Sequence, residues 1–201
     1  MSVKTVSVVN LGLGNLHSVV GAVERVGAKA RVVEDVAGIE AADFLLVPGQ
    51  GAFRDGARAV SGALGEVLRN RILAGTPYLG ICLGMQLLFE SSAEAPGAKG
   101  LGILKGKCER FESAPDRKVP HMGWNTTQAK HPFVEDGAYY YFVHSFHCVP
   151  TDRTVIAAET EYGKTFCSAV AQGNLYAVQF HPEKSQRRGE TLLRKFLELT
   201  Q

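Results

Sequence analysis

Within the first ninety residues, short apolar runs alternate with stretches of helical spacing, and this alternation constrains the fold more than any other feature. Thr5–Val9 and the stretches 30–33, 43–47 and 77–81 are rich in β-branched and aliphatic residues and too short for stable helices. Residues 17–26 and 57–74 instead carry apolar positions at helical intervals. Buried strands joined by helical crossovers predict an α/β fold: an open, mostly parallel central sheet flanked by helices on both faces. The second half reads differently. Stretches 101–112, 119–128, 139–149, 154–160, 165–171 and 175–180 are strand-like, with tight hairpins at 161–164 and 172–174. They predict mostly antiparallel strands, and 186–199 predicts a last helix packing back on the sheet. With no repeat, low-complexity tract or linker, 1–201 is expected to form a single domain.

Several function classes fall away. A net charge of +2 offers no electrostatic footprint for nucleic acid or an acidic membrane surface. The apolar runs at 44–47 and 78–83 are far shorter than a membrane span. The start, MSVKTVSVVN, lacks a secretory signal and reads as a first core strand, so the expected location is the cytoplasm. Cys82, Cys108, Cys148 and Cys167 form no CxxC pair, which argues against a zinc ribbon or thioredoxin-type motif. His144 and His147 precede Cys148, but an i, i+3 pair within one strand points to opposite faces, so no metal site is expected.

One cysteine has an unusual setting. A strand runs into Gly80-Ile81-Cys82-Leu83-Gly84, and the helix-like run 85–90 follows. This is the glycine-x-nucleophile-x-glycine arrangement of a nucleophile elbow, with sulfur in place of a serine oxygen. A helix start is worth only roughly 0.3–1 kcal/mol to an anion. That is too little to ionise a thiol fully at neutral pH, so the chemistry needs a base nearby.

The base is best sought at His181, at the end of strand-like 175–180, where Pro182 stops the ladder. Glu183 can orient its imidazole, completing a Cys-His-acid triad. His17, His121, His131, His144 and His147 are weaker candidates. Backbone N–H groups should supply an oxyanion hole: that of Leu83, and others from Gly49, Gln50 and Gly51, on the loop beside the elbow in a parallel sheet. The glycine motif GLGNLH at 12–17 has His17 where a dinucleotide fingerprint needs its third glycine, so no nucleotide cofactor is expected.

Taken together, GICLGMQLLFE (80–90), PGQGAF (48–53), HMGWN (121–125), YYYFVHSF (139–146) and QFHPEKS (179–185) resemble the class I glutamine amidotransferases, in order and over nearly the whole chain. Met85 before Gln86, the stretch 95–104 and HMGWN bring it nearest to the glutaminase subunits of imidazole glycerol phosphate synthases. The resemblance implies that Cys82 attacks the side-chain amide of glutamine, with His181 and Glu183 completing the triad. It implies that Gln86, Glu94, Ser145 and Phe146 hold the amino-acid end of the substrate. It further implies that the ammonia passes to a (β/α)8-barrel synthase subunit in a heterodimer, across or near Asn15, Trp124, Asn125, Tyr141 and Lys184. Gln50 is a departure, since the family often carries a small aliphatic residue there; its polar chain bears on how the oxyanion loop switches. Two alternatives stay open: a glutaminase subunit for pyridoxal phosphate or anthranilate synthesis, and a cysteine hydrolase acting alone.

Overall fold

A computed structural model describes residues 3–115 and 117–199. In chain order the elements are β1 (Thr5–Val9), α1 (Leu16–Arg25), β2 (Lys29–Val33), α2 (Val36–Glu40), β3 (Leu45–Gly49), α3 (Phe53–Ala59), α4 (Ala63–Leu73), β4 (Tyr78–Cys82) and α5 (Leu83–Gln86). Then follow β5 (Ser91–Ser92), β6 (Gly106–Arg110), β7 (His121–Thr126), β8 (Gln128–Ala129), β9 (Tyr139–His144), β10 (Phe146–Pro150), β11 (Ile156–Glu161), β12 (Thr165–Gln172), β13 (Leu175–Val178) and α6 (Gln186–Leu199). The central sheet runs β2-β1-β3-β4-β13-β12-β10-β6-β5, with β11 pairing β12 and β8. From β2 to β13 neighbours are parallel; β12, β10 and β6 continue antiparallel. This is the expected open sheet.

Alternation along the strands sends successive side chains to opposite faces, and each face builds its own core. Leu45 and Val47 enter one core with Ile39, Phe53, Leu68 and Leu83, whereas Leu46 joins Val19, Val23, Leu193 and Phe196 in the other. Helices α2 to α5 therefore cover one face, and α1 and α6 the other.

Three expectations need correction. The helical stretch 57–74 is two helices, because Gly62 takes φ 98° and α4 restarts against the preceding loop. A Cβ on Gly65 would lie 1.7 Å from the Val60 carbonyl oxygen, so the approach of α4 to α3 needs a glycine there. The strand-like stretch 101–112 pairs only from Gly106, and α2 had no strong periodic signal in its five residues. Finally, 139–149 is not one strand. It breaks at Ser145, with β9 paired to β7 in a separate two-stranded sheet and β10 in the central one. The opposite-face argument for His144 and His147 thus fails: both rings pack against Phe111, at centroid distances of 5.3 and 4.7 Å. Among the described residues no group of three or more His, Cys, Asp or Glu side chains is placed to hold a metal ion. None of the described helices is long and apolar enough to cross a membrane.

Candidate active site

The site forms where β3, β4 and β13 end together. Cys82 is the last residue of β4, paired in register with Gly49 at the end of β3, and α5 starts at the next residue. Its backbone sits at φ 53° and ψ −105°, one of two non-glycine residues with positive φ among those described. Such a conformation costs on the order of 1–3 kcal/mol and persists only where the surroundings enforce it. Both flanking glycines are required by contact. A Cβ on Gly84 would lie 1.9 Å from the Val47 carbonyl oxygen, and one on Gly80 would lie 2.7 Å from that of Gly84. The Tyr78 hydroxyl donates to the Gly84 carbonyl at 2.9 Å and locks the turn from below.

His181 follows β13 and caps a short 3₁₀ turn, Pro182–Lys184. Its Nδ1 lies 2.7 Å from Glu183 Oε1, and both side chains are buried. With Nδ1–H donated to Glu183, Nε2 is the ring nitrogen left for the Cys82 sulfur. Burial, the largest single influence on this imidazole, opposes its charge. The Cys82 sulfur beside it and the Glu183 carboxylate outweigh burial and push its pKa up, to about 10. The imidazole is therefore suited to carry a positive charge beside the Cys82 sulfur. The catalytic turn is clamped by β9: His181 N–H donates to the Tyr141 carbonyl at 2.9 Å, and Tyr141 N–H donates to Ser185 Oγ at 3.0 Å.

A cavity of about 290 Å³ opens over the sulfur, lined by Cys82, Leu83, Gln86, Glu94, Ser145, Phe146, Gln50 and Gly51 among others. The four residues expected to hold substrate thus line one space with the nucleophile. Glu94 Oε2 accepts from Phe53 N–H at 2.8 Å, which fixes its carboxylate. On the other side of Gln50 lies a second, small cavity bordered by Asn15, Gly49, His181, Glu183 and Lys184. Gly14 explains the rejected glycine motif: a Cβ there would lie 3.0 Å from Gln50 N, so its loop can rest on the Gly49-Gln50-Gly51 segment.

Of the expected interface residues, the structure gathers Trp124, Tyr141 and Lys184. The Trp124 and Tyr141 rings meet edge to face at 6.0 Å, and Lys184 Nζ lies 6.0 Å from the Tyr141 ring. Asn125 is not with them. Strand alternation turns it inward, where its amide meets His121 Nε2 at 3.2 Å and the Glu161 carbonyl at 2.9 Å. Gln179, the first residue of QFHPEKS, carries no local sequence signal of a role. It is fully buried and donates Nε2–H to Cys82 Sγ at 3.6 Å.

The family described as glutamine amidotransferase class-I matches residues 7–199. The chain belongs to the class I glutamine amidotransferases. Curated relatives include the imidazole glycerol phosphate synthase subunit HisH of Rhodopirellula baltica, 43% identical over 95% of this chain and 96% of that protein. The protein of the same name from Deinococcus radiodurans is 47% identical, covering 95% of this chain and 92% of that one. A crystal structure of a glutamine amidotransferase superposes with a TM-score of 0.78 at 25% identity, covering 97% of this amidotransferase and 98% of that chain. The structure of PurLQS from Thermotoga maritima matches with a TM-score of 0.79 at 18% identity over the full length of both, and shares the fold.

Proposed function

We propose that this amidotransferase is the glutaminase subunit of an imidazole glycerol phosphate synthase, releasing ammonia from glutamine for use by a (β/α)8-barrel synthase subunit. The observation that carries the reading is the strained Cys82, held at φ 53° on the wall of an amino-acid-sized cavity beside the buried His181–Glu183 pair. Near-full-length similarity to proteins named HisH supports the choice of partner.

The Cys82 thiolate attacks the side-chain amide carbon of glutamine, and the C=O electrons move onto oxygen. The resulting oxyanion is held by the Leu83 N–H and by N–H groups of Gly49, Gln50 or Gly51; losing one such donor typically costs roughly 3–4 kcal/mol. Collapse of the intermediate, with a proton from His181 to nitrogen, breaks the C–N bond and leaves ammonia and a glutamyl thioester. His181, now neutral, takes a proton from water as its oxygen attacks the thioester; the C–S bond breaks, and glutamate leaves. At the far end of the cavity Gln86 spends Nε2 on the Phe146 carbonyl, 3.3 Å, and Gln179 Oε1, 3.2 Å. Its Oε1 is left as an acceptor which, with the Glu94 carboxylate, suits the α-ammonium of an amino acid. Trp124, Tyr141, Lys184 and Asn15 form the side turned to the synthase subunit, and Asn125 supports that side from within.

The test is glutamate release by the chain alone, with a barrel synthase subunit, and with that subunit plus its nucleotide. Release concentrated in the full mixture and lost in Cys82→Ala is the expected result. Full activity of the chain alone, indifferent to the synthase, would sink the partner assignment; release surviving Cys82→Ala would sink the nucleophile.

A further inference from the structure

One carbonyl fixes the orientation of a buried polar chain that ends on the nucleophile. The Phe146 C=O can only accept, and it has two partners: His144 Nδ1 at 2.8 Å and Gln86 Nε2 at 3.3 Å. On the histidine side, Nδ1 of His144 must carry the proton, so its Nε2 accepts from His121 Nδ1 at 3.1 Å. His121 Nε2 then accepts from the Asn125 amide at 3.2 Å. Burial favours the neutral form of both rings, pushing His144 down to about 3 and His121 to about 4. Each ring is thus one defined tautomer, with every nitrogen used.

On the other side, Gln86 must present its NH₂ to Phe146, and the same nitrogen donates to Gln179 Oε1 at 3.2 Å. The oxygen of Gln179 is therefore committed, and only its NH₂ can face Cys82 Sγ, 3.6 Å away. Gln179 lies in a fully buried position just past β13, where an amide turned the other way would set its NH₂ against the NH₂ of Gln86 and leave both donors without an acceptor there. We propose that Gln179 is a thiolate-stabilising residue, donating a side-chain N–H to Cys82 Sγ, and that the Phe146 carbonyl holds its amide in that orientation through Gln86. This deepens the reading of Cys82 as nucleophile and rests on it. An N–H donor aimed at sulfur favours the charged form over the thiol and fixes the sulfur at one angle to the substrate carbon.

The experiment measures alkylation of Cys82 by iodoacetamide at neutral pH, read on the peptide that contains it, in the unaltered chain, Gln179→Met and Gln179→Glu. Glu can still accept from Gln86 but offers the sulfur no N–H. About tenfold slower alkylation is expected in both, with kcat for glutamate release falling similarly and KM changing less than twofold. Alkylation and kcat at the unaltered rate in a folded Gln179→Met would overturn the proposal. Should both variants fail to fold, the side-chain amide resonances of a ¹⁵N-labelled chain decide. Cys82→Ala must then move the Gln179 pair, identified by proximity to Val178 and Phe180, and an unmoved pair rejects the contact. The parent reading is scored separately, by whether Cys82→Ala abolishes glutamate release, so the two can fail independently.

Discussion

Cys82 combines two roles that oppose each other in energy: its side chain needs the tip of the turn, and its backbone conformation there favours glycine. Replacement by Gly should relieve about 1–3 kcal/mol of backbone strain that replacement by Ala retains. In chemical denaturation Cys82→Gly is expected to match or exceed Cys82→Ala in stability, the reverse of the usual order in a strand. Ala clearly ahead of Gly would show that the turn stores no strain. His181 yields a prediction with a sign. Its folded pKa, about 10, lies above the ordinary value near 6.5. The imidazolium's contribution to stability is therefore fully present below about pH 6.5 and is lost as pH rises toward 10. The stability margin of the unaltered chain over His181→Gln should be smaller at pH 10 than at pH 7; a margin independent of pH would contradict the charged pair. Both residues were legible in the sequence because elbow glycines and a proline after a strand are local signals. Gln179 was not, since a glutamine in an apolar strand shows its importance only once Gln86 and Phe146 stand beside it.

At the scale of elements, the strand-helix alternation predicted β1 to β4 and the elbow, while boundaries set by tertiary contact stayed hidden. Nothing local marks the Ser145 break; it exists because β9 leaves to pair β7 and β10 returns to pair β6. That same departure brings β9 against the catalytic turn. Helix α6 holds the turn from the other side, at a separation that only glycine permits: a Cβ on Gly189 would lie 1.8 Å from the Pro182 carbonyl oxygen. Gly189→Ala must therefore push α6 and the 3₁₀ turn apart, although alanine favours a helix by roughly 1 kcal/mol in isolation. Glutamate release in the assembled enzyme is expected to fall at least tenfold, with a lowered melting temperature. Activity unchanged would mean that the turn tolerates displacement and that the β9 clamp alone positions His181.

The whole molecule places its chemistry at one end of the sheet and an exposed aromatic group close by. Trp124 is 47% exposed and Met122 62%, both directed outward from β7, and Tyr139 at the start of β9 is 58% exposed. Large apolar side chains grouped on a small two-stranded sheet are unusual in a protein acting alone and suit the buried centre of an interface. Trp124 touches Tyr141, whose backbone holds His181 and Ser185, so a partner seated on this face would press on the catalytic turn through one strand. This proximity favours the subunit reading over a hydrolase acting alone. Trp124→Ala loses the edge-to-face contact with Tyr141 within the chain, so its unfolding free energy should fall by about 0.5–1.5 kcal/mol, leaving the chain folded. As an interface anchor the same side chain should be worth about 2 kcal/mol or more, so titration with the synthase subunit should show affinity weakened roughly thirtyfold. A thirtyfold weaker affinity in a variant that stays folded places docking on β7 and β9. Unchanged affinity would move the interface elsewhere and leave these aromatics without a partner.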